Sequence, residues 1–148
     1  MSVWKPSVTV AAVIERDGRF LLVEELIDGR KVINQPAGHL DPGESLAAAC
    51  AREVLEETAH RFEPAGLVGI YRWHYAPKDV TFLRFCFRGN VGGVEDRKLD
   101  KEIIRTLWLT PAEVKASAAA RSPLVLRCIE DYQAGRNYPL ELFSKEFA

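Results

Sequence analysis

The sequence predicts an α/β protein, a mixed β-sheet with helices packed on its faces. Three observations predict it: short β-branched runs punctuated by Asp-Gly turns, an alanine-rich stretch of helical period, and further strand-like segments followed by two helix-start signals. Val8 to Ile14 is apolar, and Asp17-Gly18 ahead of Arg19 to Val23 reads as a hairpin with a type I′ turn. Asp28-Gly29 repeats the turn signal before a short strand from Lys31 to Asn34. From Ser45 the residues Leu46, Ala49, Cys50 and Val54 fall on one helical stripe, which predicts a helix running to about Thr58.

Beyond Pro64 strand character returns from Leu67 to Tyr75, turns at Pro77 to Asp79 and resumes from Thr81 to Arg88. Alternation places Tyr71, Trp73 and Tyr75 on one face, with Arg72 and His74 on the other. Gly89 to Asp100 is glycine-containing and charged, hence a loop, and Ile103 to Leu109 is another strand. Thr110, Pro111 and Glu113 fit the N-cap, first and third positions of a short helix. Ser122-Pro123 opens a last helix with Leu124, Cys128, Ile129 and Tyr132 inward and Gly135 as its stop, while the tail from Arg136 carries no signal. With no repeat or interdomain linker, residues 1–148 are expected to form one domain.

At 148 residues such a chain buries roughly two thirds of its unfolded surface in one core, so folding requires neither a cofactor nor a disulfide. The formal net charge of −1 gives no footprint for nucleic acid or for an anionic membrane. A phosphate-bearing partner must therefore be held locally, by a few arginines or by metal. Cys50, Cys86 and Cys128 are odd in number and widely spaced, as core thiols in a reducing compartment would be. The first apolar run is too short for a membrane span and lacks a cleavage site, so the expected location is the cytoplasm, as a monomer or homodimer.

The chemistry concentrates in GHLDPGESLAAACAREVLEETAH, Gly38 to His60. Glu53, Glu56 and Glu57 stand at i, i+3 and i+4, placing three carboxylates on one helix face at a cost of about 0.2 to 0.5 kcal/mol per like-charged pair. They also lie near the helix C-terminus, where the dipole disfavours anions. A hard divalent cation removes both penalties, because Mg²⁺ binds carboxylates, water and substrate phosphate. Gly38 and Gly43 allow a backbone carbonyl near that ion, Pro42 stiffens the turn, and Arg52 can hold the carboxylates without competing for metal.

The pattern G-x5-E-x7-R-E-U-x-E-E, with U aliphatic, is met by Gly38, Glu44, Arg52, Glu53, Val54, Glu56 and Glu57. The stretch resembles the Nudix box. The family pattern continues x-G-U, where this chain has Thr58-Ala59-His60, which puts the helix exit geometry in question. The segments VEELIDGRKVINQPAGHL, HYAPKDVTFLRFCF and RSPLVLRCIEDYQAGRNYPLEL extend the similarity to the bacterial NudJ-type Nudix phosphatases. The resemblance implies an α/β/α sandwich, Mg²⁺ dependence with Mn²⁺ as a substitute, and attack of water on a diphosphate linkage. It implies Glu53, Glu56, Glu57 and the Gly38 carbonyl as metal ligands, with nucleoside di- and triphosphates or thiamine-related pyrophosphates as substrates. A later acidic residue serves as ligand or base in some members; Glu102 is the first candidate here and Asp100 the second, and the proton acceptor is either Glu53 or Glu102.

Candidates for the substrate side are Gln35 beside the metal loop, Trp73 and Tyr75 as a pocket rim, and Glu44 just outside the helix. Tyr71 is expected to pack under a helix. Arg84, a charge inside the apolar FLRFCF strand, either pairs with an acid or reaches a phosphate, and the latter is favoured because burying an unpaired Arg is costly. His39 and His74 are weaker phosphate contacts. The alternatives are a pyrophosphatase of ADP-ribose or another nucleoside-diphosphate conjugate, and a catalytically silent Nudix-like nucleotide-binding domain; Tyr75 and Pro77 together do not separate the first from the leading reading.

Overall fold

The computed structural model describes residues 2–145. Two four-stranded sheets form it, built from strands β1 (Ser7–Val13), β2 (Glu15–Arg16), β3 (Arg19–Ile27), β4 (Arg30–Asn34), β5 (Ala37–His39), β6 (His60–Tyr75), β7 (Val80–Val94) and β8 (Ile103–Leu109). The helices are α1 (Leu46–Thr58), α2 (Pro111–Ala116) and α3 (Leu124–Gln133). One sheet runs β5-β1-β7-β6 with β1 and β7 parallel, which makes it mixed; the other runs β2-β3-β4 with β8 on the free side of β3.

β1 shows why helices cover both faces. Its alternating side chains divide: Val10 and Ala12 pack with Ala49, Cys50 and Val54 of α1, while Ala11 and Val13 pack with Val125, Cys128 and Ile129 of α3. All three cysteines are buried and free in these cores, as expected of small apolar side chains. Among the described residues no helix is long and apolar enough to cross a membrane.

Several expectations are corrected. The Asp17-Gly18 turn has both residues at positive φ, 52° and 79°, as type I′ requires, but it joins only β2 to β3. β1 leaves that hairpin to pair with β5 and β7 in the other sheet, and the strand at Ala37–His39 was not anticipated. β6 starts at His60 rather than Leu67, and β7 continues to Val94 through the stretch expected to be loop. The two breakers that suggested otherwise, Pro64 and Gly89, lie opposite one another beside a register shift, and a Cβ on Gly89 would run into the Glu63 carbonyl. The tail from Arg136 also contributes, because Tyr138 exchanges two 2.8 Å backbone hydrogen bonds with Leu67.

Candidate active site

The expected loop-helix unit forms. Ser45 caps α1, its Oγ accepting from the Ala48 N–H at 3.1 Å, and Gly43 turns the preceding loop at φ 81°. Gly38 is needed for a different reason: a Cβ there would overlap the Glu53 carboxylate. The loop backbone is thus pressed against the helix carboxylates. At the other end Ala59 closes α1 in the left-handed conformation, φ 60°, where the family pattern has glycine. His60 is buried in place of an aliphatic residue, its Nδ1 lying 3.0 Å from the Thr58 carbonyl and its ring edge-on to Trp108 at 6.2 Å.

Glu53 and Glu57 turn inward, 9 % and 8 % exposed, and Glu56 lies nearer solvent. Oxygens of Glu53, Glu56 and Asp100 fall within 4.8 Å of one another, a spacing that one hard cation can bridge. Asp100 reaches this group from the loop before β8, its N–H donating to the Glu56 carbonyl at 2.9 Å. Of the two later acids considered, it is therefore Asp100 that joins the carboxylate group. Glu102 stands apart on the wall of the same cavity. Glu57 is also outside the three-carboxylate group, one oxygen accepting from the Ala37 N–H at 2.9 Å.

Arg52 neutralises much of this charge. Its Nη1 donates to Glu53 at 2.8 Å and Glu56 at 3.2 Å, while Nε and Nη2 donate to Glu44 at 3.0 and 2.7 Å. Nη2 also donates to the His39 carbonyl at 2.9 Å, tying the loop to the helix. Glu44, considered as a substrate contact, is taken up by Arg52 and by the Asp41 N–H, and these bonds hold its carboxyl below the usual range. One guanidinium cannot offset the whole cluster. Burial pushes the Glu53 carboxyl up to about 7 against the pull of Arg52, and burial pushes Glu57 up to about 9, with Glu25, Glu53 and Asp100 adding repulsion. Asp100 is raised too, by burial and then by Glu56 and Glu102.

Glu53 and Glu57 open into a cavity of about 320 Å³ between the two sheets, whose wall also includes Glu25, Asn34, Trp73, Phe82, Arg84 and Glu102. Arg84 is 6 % exposed and bonds to no carboxylate among the described residues: Nη1 donates to Gln35 Oε1 at 2.9 Å and to Cys128 Sγ at 3.8 Å, and Nη2 to Asn34 Oδ1 at 3.0 Å. Two neutral amides hold a buried cation at the wall of an otherwise acidic cavity. Gln35 itself is not a wall residue; 1 % exposed, it donates from Nε2 to the Val125 carbonyl at 2.7 Å and serves to aim Arg84. Tyr71 packs beneath α3 as expected, its hydroxyl donating to Asp131 at 2.7 Å. Trp73 lines the cavity, Tyr75 lies farther out along the same face, and His74 points to the outer face, where its Nε2 lies 2.8 Å from Asp79.

Glu25 was missed by sequence reasoning. It is 5 % exposed on β3, receives a 3.0 Å hydrogen bond from Arg121 Nη1, and burial raises its carboxyl. The signal was present in LLVEELI: one of two adjacent glutamates in an apolar strand must face inward.

The sequence model of the NUDIX domain matches residues 4–128. The chain is 41 % identical over 140 residues to the phosphatase NudJ of Escherichia coli strain K12, covering 94 % of this chain and 91 % of that one. Among solved structures, a NUDIX hydrolase from Nitrosomonas europaea superposes with a TM-score of 0.94 at 54 % identity, covering 96 % of this chain and 98 % of that one. The MutT protein from Methanosarcina mazei Go1 superposes with a TM-score of 0.72 at 25 % identity, over 92 % and 100 % of the two chains. With the loop-helix unit intact and the family match spanning most of its length, this chain belongs to the Nudix hydrolase family.

Proposed function

We propose that residues 1–148 act as one Mg²⁺-dependent phosphohydrolase, with Mn²⁺ as a substitute, cleaving phosphoanhydride bonds in nucleoside di- and triphosphates or thiamine-related pyrophosphates. The observation that carries this reading is the meeting of Glu53, Glu56 and Asp100 within 4.8 Å beside a glycine whose backbone touches Glu53. Three hard oxygen donors with their charge only partly offset by Arg52 fit a divalent cation, and a silent domain has no use for such crowding. The similarity to phosphatase NudJ supports a phosphatase reaction. The same reading places the protein in the cytoplasm, without nucleic-acid or membrane partners, as a monomer or homodimer.

Glu53, Glu56 and Asp100 would hold the ion, with Glu57 and the Gly38 backbone beside them. When bound, the cation polarises phosphoryl oxygens and acidifies a water. Arg52 keeps the carboxylates in one arrangement from behind. Arg84 offers its remaining donors to a phosphoryl oxygen, a role that suits a buried guanidinium held by two neutral amides. Trp73 and Phe82, stacked at 5.9 Å, give the substrate's ring a flat wall. Glu53 accepts from Arg52 and faces the cation site, so Glu102, whose side chain has no ion-pair partner among the described residues, is the base that takes the proton of the attacking water.

The test is a panel with Mg²⁺: nucleoside triphosphates, nucleoside diphosphates, ADP-ribose and thiamine pyrophosphate, with phosphate and pyrophosphate counted separately. Phosphate release from nucleoside diphosphates is expected, and Glu102→Gln should lower kcat with little change in KM. No turnover of any compound, with Glu56→Gln and Glu57→Gln indistinguishable from the parent, would overturn the reading.

A further inference from the structure

The catalytic cavity continues into a second one of about 590 Å³, and the two share Ile27, Trp73, Phe82 and Arg121. Their charges are opposite. The first is walled by five carboxylates, Asp41 among them, against Arg84 and Arg121, whereas the second has Arg30, Lys31, Lys78 and the shared Arg121 with Asp28 as its only carboxylate among the described residues. Strand alternation explains the continuity. On β7, Arg84 lies over the catalytic end and Phe82 two residues farther out; on β6 their cross-strand partners are Tyr71 and Trp73, followed by Tyr75. Across the cleft, Asn34, Val32 and Arg30 occupy one face of β4 in the same outward order.

At the far end the β3–β4 turn and the β6–β7 turn are joined by the 3.1 Å ion pair of Lys78 with Asp28. That ion pair ties together the two turns that flank the second cavity. Arg121 is committed to Glu25 at 3.0 Å, but Arg30 and Lys31 form no ion pair among the described residues. Alternation aims Arg30, rather than Lys31, along the face that carries Asn34. A flat aromatic wall thus runs from an acidic, cation-binding end to a forked cation that has no ion-pair partner among the described residues.

We propose that this second cavity is an anion subsite, in which Arg30 binds a further phosphate monoester on the leaving group of the diphosphate substrate, while Lys78 stays paired with Asp28. The preferred substrate is then a nucleoside diphosphate that carries an additional phosphate, its ring lying on Trp73 and Phe82. The proposal rests on the hydrolase reading above for the position of the anhydride, but its own content is a preference between ligands that differ by one phosphate.

The experiment measures binding of AMP and of adenosine 3′,5′-bisphosphate to the full chain by calorimetry in Mg²⁺, alongside turnover of plain ADP. The bisphosphate should bind about tenfold more tightly than AMP, as one charge-assisted pair gives. Arg30→Gln should remove that advantage, with AMP affinity and ADP turnover unchanged. Equal binding of the two ligands, or an equal loss of both in Arg30→Gln, overturns the subsite. Selective bisphosphate binding without turnover of ADP or of any other compound in the panel above would leave the subsite standing and instead count against the hydrolase reading.

Discussion

Replacing Glu57 with glutamine should stabilise the metal-free protein at neutral pH while impairing its response to metal. Glu57 is 8 % exposed and its carboxyl is pushed from 4.5 up to about 9, chiefly by burial. A carboxylate whose folded pKa lies above its unfolded one holds its proton more tightly when folded. Its contribution is complete below the unfolded value and is lost as pH rises toward the folded value. Each pH unit in that window costs the folded state up to about 1.4 kcal/mol, so the loss from about pH 5.5 to about pH 7.5 is roughly 2 to 3 kcal/mol. Glutamine stays neutral and keeps an oxygen for the Ala37 N–H, the bond that Glu57 makes at 2.9 Å. For a chain of 148 residues that difference corresponds to about 5 to 10 °C in melting temperature. The assay is thermal melting of chelated parent and Glu57→Gln across pH, repeated with Mg²⁺. Near pH 5 the two should nearly coincide, and at about pH 7.5 the variant should melt higher; Glu53, raised to about 7, leaves the variant a shallower slope of its own. Added Mg²⁺ should raise the parent more than the variant. A variant that melts below the parent at neutral pH without metal, or that keeps the parent's full pH slope, would refute the claim that Glu57 is held in a proton-demanding site.

Arg52→Lys should lower kcat and metal affinity by about 10- to 100-fold, because a lysine cannot span Glu44, Glu53, Glu56 and the His39 carbonyl at once; metal titrations of activity would read it, and unchanged affinity would count against the clamp. Gly38→Ala should abolish activity with the far-ultraviolet spectrum intact, since the new methyl displaces the Glu53 carboxylate; full activity would mean the loop is free to retreat. Ala59→Gly should shift stability by less than about 1 kcal/mol, because relief of the left-handed strain is offset by the greater freedom of unfolded glycine and by the lost methyl. Ala59→Val should cost more than about 2 kcal/mol at the same position, and equal melting of the three proteins would remove backbone strain as the explanation.

The parts of the fold that could be read from sequence are those governed by neighbours a few residues away. α1 ends where its periodicity and Ser45 predict, the Asp17-Gly18 turn has its expected conformation, and Thr110 with Glu113 forms the reciprocal cap. Partner choice was not legible. Nothing local tells Val8 to Val13 to abandon the adjacent hairpin and lie parallel to β7, a pairing that depends on both faces of β1 being covered. Pro64 and Gly89 each read as breakers because their compatibility arises only when they meet across the sheet. The site divides along the same line. Spacing on one helix presented Glu53, Glu56 and Glu57, and the odd charge in FLRFCF presented Arg84, but the roles of Gln35 and Glu44 as holders of arginines require contacts 49 and 8 residues away in sequence. Asp100 outranks Glu102 in the cluster for a reason visible only in space, its backbone bond to Glu56 at the end of α1.

Arg52 and Arg84 have opposite electrostatic assignments, and that opposition orders the cavity. Arg52 is surrounded by carboxylates on the outer side of α1 and gives them the positive charge they would otherwise lack before metal arrives. Arg84 donates to two neutral amide oxygens and, at 3.8 Å, to the Cys128 sulfur, with no carboxylate hydrogen-bonded to it among the described residues, so its charge is left to act on the cavity. Had Arg84 been paired with Glu25, the anion-binding end would be neutralised in advance; Arg121 prevents this by occupying Glu25 at 3.0 Å. Removing Arg121 should therefore act at a distance, releasing Glu25 to compete for Arg84 and raising KM for a phosphate-bearing substrate while the Glu53, Glu56 and Asp100 group stays intact. A metal affinity unchanged in Arg121→Gln, with KM raised several-fold and kcat nearly constant, is the expected pattern. An equal fall in metal affinity and turnover would place Arg121 instead with the clamp around α1.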